Sequence, residues 1–217
     1  MSTSRDGRAL AKRHVWLTSA IIAASIGLLP RITSSASVQV YSVDRPEHPL
    51  LTPITSGPVN ATSWNLIGTL MGLLVLAVSQ EGWSLRRLLD ATIAHAISTA
   101  CIFPIIVCFG GPLNMSTAIL SAQIGALTIF PAIYILGLPS LDSNGVAARY
   151  RLTRLLCEFS PQSTTERLIV RSAVGTIVGA WIGGLALALD WDRPWQTYPL
   201  TPTIGASAGF ICGALSV

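Results

Sequence analysis

Asp190 and Asp192 stand two apart with Arg193 beside them, in the stretch Leu187–Thr201 that reads LALDWDRPWQTYPLT. Two carboxylates at that spacing can hold Mg²⁺ or Mn²⁺, and the arginine fork can hold a phosphate oxygen. That would be headgroup chemistry. The same residues also read as architecture: Asp192 and Arg193 as a local ion pair, Pro194 as the turn, Trp191 and Trp195 as interfacial anchors, and Gln196 closing the string. The architectural reading is preferred. A catalytic metal site draws ligands from several segments, and no matching acid cluster stands elsewhere; Asp44 and Glu47 lie in an irregular loop with His48. No metal and no other cofactor is expected. His95 is the histidine inside an apolar run, and an ionisable group there is a functional candidate. One carbonyl or hydroxyl can satisfy a neutral imidazole, however, and Thr92, Ser98 and Thr99 lie within a turn of it, so a structural role is preferred. No P-loop, GxSxG or HExxH motif is present, so catalysis by this chain alone is not expected.

The elements that must position the Asp-Trp-Asp string are apolar. Of 217 residues, 51% are hydrophobic and 11% charged, with a mean hydropathy of +0.58. Soluble domains carry about a quarter charged residues. Apolar runs of about twenty residues recur along the whole length, the mark of membrane spans. The pattern predicts one all-α, polytopic membrane domain over 1–217. Six transmembrane helices are expected, near 15–30, 59–79, 88–109, 115–138, 168–189 and 200–217. The segment from Pro139 to Arg167 is expected to be a polar loop. Pro104 and Pro131 are expected to kink the third and fourth spans.

Charge orients these spans. Six of them put Arg5, Arg8, Lys12, Arg13, Arg86, Arg87, Arg149, Arg151, Arg154 and Arg167 on one side. Arg31, Arg45 and Arg193 fall on the other, while Arg171 sits a turn inside the fifth span and can snorkel to the basic side. The asymmetry places both termini in the cytosol and the Asp-Trp-Asp loop in the lumen. The excess of arginine serves orientation and meets anionic membrane lipids; it is not a nucleic-acid signal. Cys101, Cys108, Cys157 and Cys212 form no CxxC pair and indicate neither a metal site nor a disulfide.

The last two spans share a further feature. Gly175, Gly179 and Gly183 recur at a spacing of four, and so do Gly205, Gly209 and Gly213. That spacing puts each trio on one helix face, where a neighbouring helix can approach closely. A helical hairpin follows, with a smooth seam on each arm and a polar, aromatic tip.

Val178-Gly179-Ala180-Trp181-Ile182-Gly183-Gly184, then Leu189-Asp190-Trp191-Asp192-Arg193-Pro194-Trp195-Gln196, then Tyr198-Pro199-Leu200 closely resembles the C-terminal signature of the PIG-F family. The turn Phe109-Gly110-Gly111-Pro112-Leu113 and the later Thr128-Ile129-Phe130-Pro131 resemble a second family segment. The likeness covers about the C-terminal half; the first hundred residues match in layout only. Members usually continue past the last span in a basic cytosolic tail, whereas this sequence stops at Val217.

The resemblance implies a multi-pass protein of the endoplasmic reticulum membrane that takes part in glycosylphosphatidylinositol (GPI) anchor biosynthesis. It implies a non-catalytic subunit that binds and stabilises the GPI ethanolamine-phosphate transferase catalytic subunits, which transfer phosphoethanolamine to mannose of the anchor precursor. The loop 190–196 is then a partner or lipid contact, and the glycine faces are packing surfaces. The alternative is a small membrane enzyme or transporter acting on phospholipid headgroups.

Overall fold

The computed structural model describes residues 19–25, 52–79, 83–139, 145–189, 191, 193 and 195–217. All regular structure among them is helical. Residues 19–25 form α1 and Thr52–Thr55 the single turn α2. Helix α3, Pro58–Ser79, opens on a proline, whose missing N–H costs nothing in a first turn. Its hydroxyls bond back into the helix, Thr62 to the Pro58 carbonyl (2.9 Å) and Ser63 to that of Val59 (2.7 Å).

Helix α4, Leu85–Cys108, runs through Pro104 and ends at Gly110, whose φ of +95° suits a residue without Cβ. Asn114 caps α5, Met115–Leu136, by accepting from the Thr117 N–H. Helix α5 continues through Pro131 and stops at Gly137, φ +92°. Helix α7, Thr164–Leu185, starts in a capping box, the Ser163 hydroxyl accepting from the Glu166 N–H (3.1 Å) while Glu166 reaches back to the Ser163 N–H. A 3₁₀ turn, Ala186–Ala188, extends it. Helix α8, Leu200–Leu215, follows the cis Tyr198–Pro199 bond.

Among the described residues, four helices are long and apolar enough to cross a membrane: Pro58–Val78, Leu85–Cys108, Met115–Leu136 and Thr164–Ala188. This is fewer than the six expected from sequence. Of the expected first span, 15–30, only residues 19–25 lie among the described residues. The expected last span, 200–217, is an apolar helix of 16 residues. At 1.5 Å per residue it reaches about 24 Å, short of a hydrocarbon layer of about 30 Å. The segment 139–167 also departs from expectation. It holds helix α6, Val146–Cys157, whose arginine-rich sequence hides an apolar stripe.

Helix α5 is the axis of the bundle. Helices α3, α4, α6, α7 and α8 all pack on it, and two-thirds of its apolar length is buried, whereas in α4 only Ala91 is fully buried and the other residues are half-buried or exposed. Leu73 and Ala77 of α3, Ala91 of α4 and Ala126, Phe130, Ile133 and Tyr134 of α5 make one core cluster. Ile22 of α1, Leu127 of α5 and Ala206 and Phe210 of α8 make another. Neighbouring helices share their ends, α3 and α5 running parallel and α7 and α8 antiparallel. The Tyr134 hydroxyl donates to the Ala77 carbonyl at 2.6 Å, and Arg171 near the start of α7 donates to the Ser216 carbonyl after α8. At that end also lie Arg86, Arg87, Arg149, Arg151, Arg154 and Arg167; among the described residues only Arg193 stands at the other.

Candidate functional site

The tightest packing joins α7 to α8. At each of six glycines a Cβ would overlap a backbone carbonyl of the facing helix: Gly175 that of Gly209, Gly179 that of Gly205, Gly183 that of Thr201, Gly205 that of Gly179, Gly209 that of Gly175, and Gly213 that of Arg171. The relation is reciprocal, so the two backbones touch along the whole seam. In lipid, helices gain little from hiding apolar surface, and close backbone approach supplies dispersion contacts instead. Gly184, one residue past the seam, has open space around it.

The opposite face of α8 is polar. Ser207 is 1% exposed, and its hydroxyl oxygen accepts from Asn65 Nδ2 of α3 (3.0 Å) and Gln123 Nε2 of α5 (3.3 Å). Gln123 Nε2 also donates to Thr69 of α3 (2.9 Å). Ser25 of α1 lies 3.2 Å from Asn65 Oδ1 while donating to the Ile22 carbonyl (2.7 Å). Four helices thus meet at one buried knot of hydroxyls and amides.

The tip of the hairpin is fixed to its own arms and to α5. Gln196 donates through Nε2 to the Ala186 and Leu189 carbonyls, both at 2.8 Å, and accepts the Arg193 N–H at 2.9 Å. One amide therefore closes the loop on itself. Trp191 and Trp195 meet edge to face with centroids 5.8 Å apart. The Tyr198 hydroxyl bonds that of Thr117 (2.8 Å), and Thr117 donates to the Pro112 carbonyl (2.5 Å). The two segments that carry the family likeness, the Gly-Gly-Pro turn and the Tyr-Pro step, are thereby joined. Burial pushes the Tyr198 phenol above its ordinary pKa, against a smaller opposing effect of the Thr117 bond, so it stays protonated.

Asp190, Asp192 and Pro194 lie outside the described residues, and so does the ion pair expected between Asp192 and Arg193. Among the described residues no three His, Cys, Asp or Glu side chains converge as metal ligands. His95 is half-buried on α4 against Gly125 of α5, where a Cβ would come 3.1 Å from its Nδ1. The neighbouring hydroxyls do not satisfy its ring. Ser98 and Thr99 donate to the His95 backbone carbonyl (2.8 and 2.9 Å), and Thr92 to that of Leu88 (2.8 Å). Hydroxyls on a helix reach their own i−3 or i−4 carbonyl more readily than a ring on the same turn. His95 Nδ1 is buried with no hydrogen-bonding partner among the described residues.

Sequence reasoning passed over Asn65, Gln123, Ser207 and Thr117, and took Tyr198 only as part of the signature string. A signal existed for two of them: Asn65 and Gln123 are amides deep within apolar runs, where a polar side chain needs a partner on another helix.

A family model described as "GPI biosynthesis protein family Pig-F" matches residues 33–217. The chain is 26% identical over 160 residues to the human "GPI ethanolamine phosphate transferase, stabilizing subunit", an alignment covering 67% of this chain and 68% of that protein. It is 27% identical over 173 residues to "Glycosylphosphatidylinositol anchor biosynthesis protein 11" of Yarrowia lipolytica, covering 75% and 72%. With the protein of that name from Neurospora crassa it shares 32% over 126 residues, covering 57% of this chain and 42% of the relative, less than half of its length. No solved structure matches the chain.

Proposed function

The chain belongs to the Pig-F family of GPI biosynthesis, and from that premise we propose that it is the non-catalytic membrane subunit of a GPI ethanolamine-phosphate transferase. The observation that carries this is the alignment with the human stabilizing subunit across two-thirds of both proteins. The reaction supported is transfer of phosphoethanolamine to mannose of the anchor precursor, in the endoplasmic reticulum membrane. The described side chains supply packing surfaces and a clamped loop, which suit a scaffold rather than a reaction centre.

The arginine-rich end of the bundle faces the cytosol under the positive-inside rule, and the tip 190–196 faces the lumen. Counting the run 15–30 and α8 as spans gives six and leaves both termini cytosolic. A six-span arrangement needs α8 to be met by a thinned bilayer or by the partner's helices, since it is short. The α7–α8 hairpin is the rigid unit offered to the transferase, and the loop 190–196 is the lumenal contact with the partner or its lipid.

The test is a pull-down of this chain from gently solubilised membranes, with co-purifying proteins identified. A large protein with a lumenal phosphotransferase domain is expected. Recovery of the chain alone, folded and in good yield, would overturn the proposal. Alanine at Asp190, Asp192 and Arg193 together is expected to lower surface display of GPI-anchored proteins; unaltered display would remove the loop from the account.

A further inference from the structure

Helix α6 joins the ends of two helices long enough to cross a membrane, so it lies at a membrane–water boundary. One of its faces is used inside the protein. Leu155 is 2% exposed and clusters with Ala132 and Leu136 of α5 and Ile169 of α7, with Leu152 packed alongside. Arg154 curls under the helix to Glu166 (2.7 Å), whose other oxygen accepts the Gln162 N–H (2.7 Å). The last arginine of α6 is therefore spent on holding the helix to the start of α7.

The opposite face mixes apolar side chains with hydroxyls and carries no charge. Val146, Tyr150, Thr153 and Cys157 follow at spacings of three and four along it. Val146 is 53% exposed, Tyr150 67% and the adjacent Leu156 58%. Just past the helix, Phe159 adopts φ +48°, a left-handed conformation uncommon for a bulky residue, and is 63% exposed. Arg149 flanks this face; Arg151, farther round the helix, and Arg167, in the first turn of α7, are exposed, as is the acid Glu158.

We propose that α6 is an interfacial helix whose outer face, Val146, Tyr150, Leu156 and Phe159, inserts among the lipids of an anionic leaflet while its arginines meet the phosphates. An apolar face flanked by arginine at bilayer level is the chemistry of such helices. Assigning that leaflet to the cytosolic side rests on the orientation proposed above. The buried Arg154–Glu166 pair then transmits the seating of α6 to the first turn of α7, the arm that carries half of the glycine seam.

The test uses the full chain with Tyr150→p-benzoylphenylalanine, and separately Leu156→p-benzoylphenylalanine, reconstituted in phosphatidylcholine vesicles with or without phosphatidylserine and irradiated. The same variants are irradiated in native membranes. Lipid adducts on the intact chain are expected at both positions, rising with phosphatidylserine. Arg151→Glu should lower the phosphatidylserine-dependent part at least about fivefold, the effect of about one arginine near an anionic surface. Adducts mainly to another protein in native membranes would overturn the proposal in favour of a protein contact. Adducts to neither lipid nor protein would overturn it in favour of a hydrated face. Co-purification of the transferase, measured on the same samples, reads the subunit proposal separately.

Discussion

Helix α8 presents two faces that are held by opposite means. Toward α7 it is bare: Gly205, Gly209 and Gly213 admit the other backbone and nothing else. Toward α3 and α5 it carries Ser207, a hydroxyl shared by two amides. The first face excludes side chains, and the second requires one of a particular kind. In lipid these are the two available ways of making a helix contact specific, since apolar surface alone does not distinguish a neighbour from an acyl chain. The glycine seam fixes distance and has no slack. The polar knot fixes register and can lose one bond while keeping the rest.

That contrast ranks the expected effects of substitution. Gly209→Leu or Gly175→Leu should do the most damage, because the obstacle is backbone and cannot rotate away. A loss of about 3 kcal/mol or more is expected, at the upper end of overpacking costs, read as a lowered melting midpoint in detergent. Gly209→Ala should cost about 1–3 kcal/mol by the same mechanism. Ser207→Ala removes two interhelical hydrogen bonds and should cost about 1 kcal/mol, at roughly 0.6 kcal/mol for each bond within a membrane. A loss as large as that of Gly209→Leu would merge the two faces into one mechanism. Tyr198→Phe breaks the bond between the tip and Thr117 and should cost about 1 kcal/mol. It should also speed proteolysis in the 190–199 loop, which separates a loosened tip from a weakened bundle. Gly184→Leu should change stability by less than about 0.5 kcal/mol, because that glycine faces open space one residue beyond the seam.

The contrast also marks what a sequence displays and what it withholds. Membrane helices are legible because their apolar runs are local, and α3, α4 and α5 begin and end within three residues of where hydropathy puts them. The spacing of the glycines is local too. Which glycine meets which, Gly175 with Gly209 and Gly179 with Gly205, is a property of two helices and is not written in either. The knot at Ser207 was hidden for the same reason, since its partners lie 84 and 142 residues away. Helix α6 was hidden by composition. Its arginines lower the hydropathy of a segment whose Ala148, Leu152 and Leu155 still line one stripe. At His95 the hydroxyl option falls away for a local reason, since Ser98 and Thr99 find carbonyls on their own helix.

In the proposed function, a rigid α7–α8 hairpin makes this chain a partner for the transferase. The most direct test compares Gly209→Leu with Gly184→Leu at matched expression, reading the fraction of transferase recovered with each. Gly184→Leu should recover the transferase as the unaltered chain does, while Gly209→Leu should lose most of it. Equal recovery with both variants would contradict the claim.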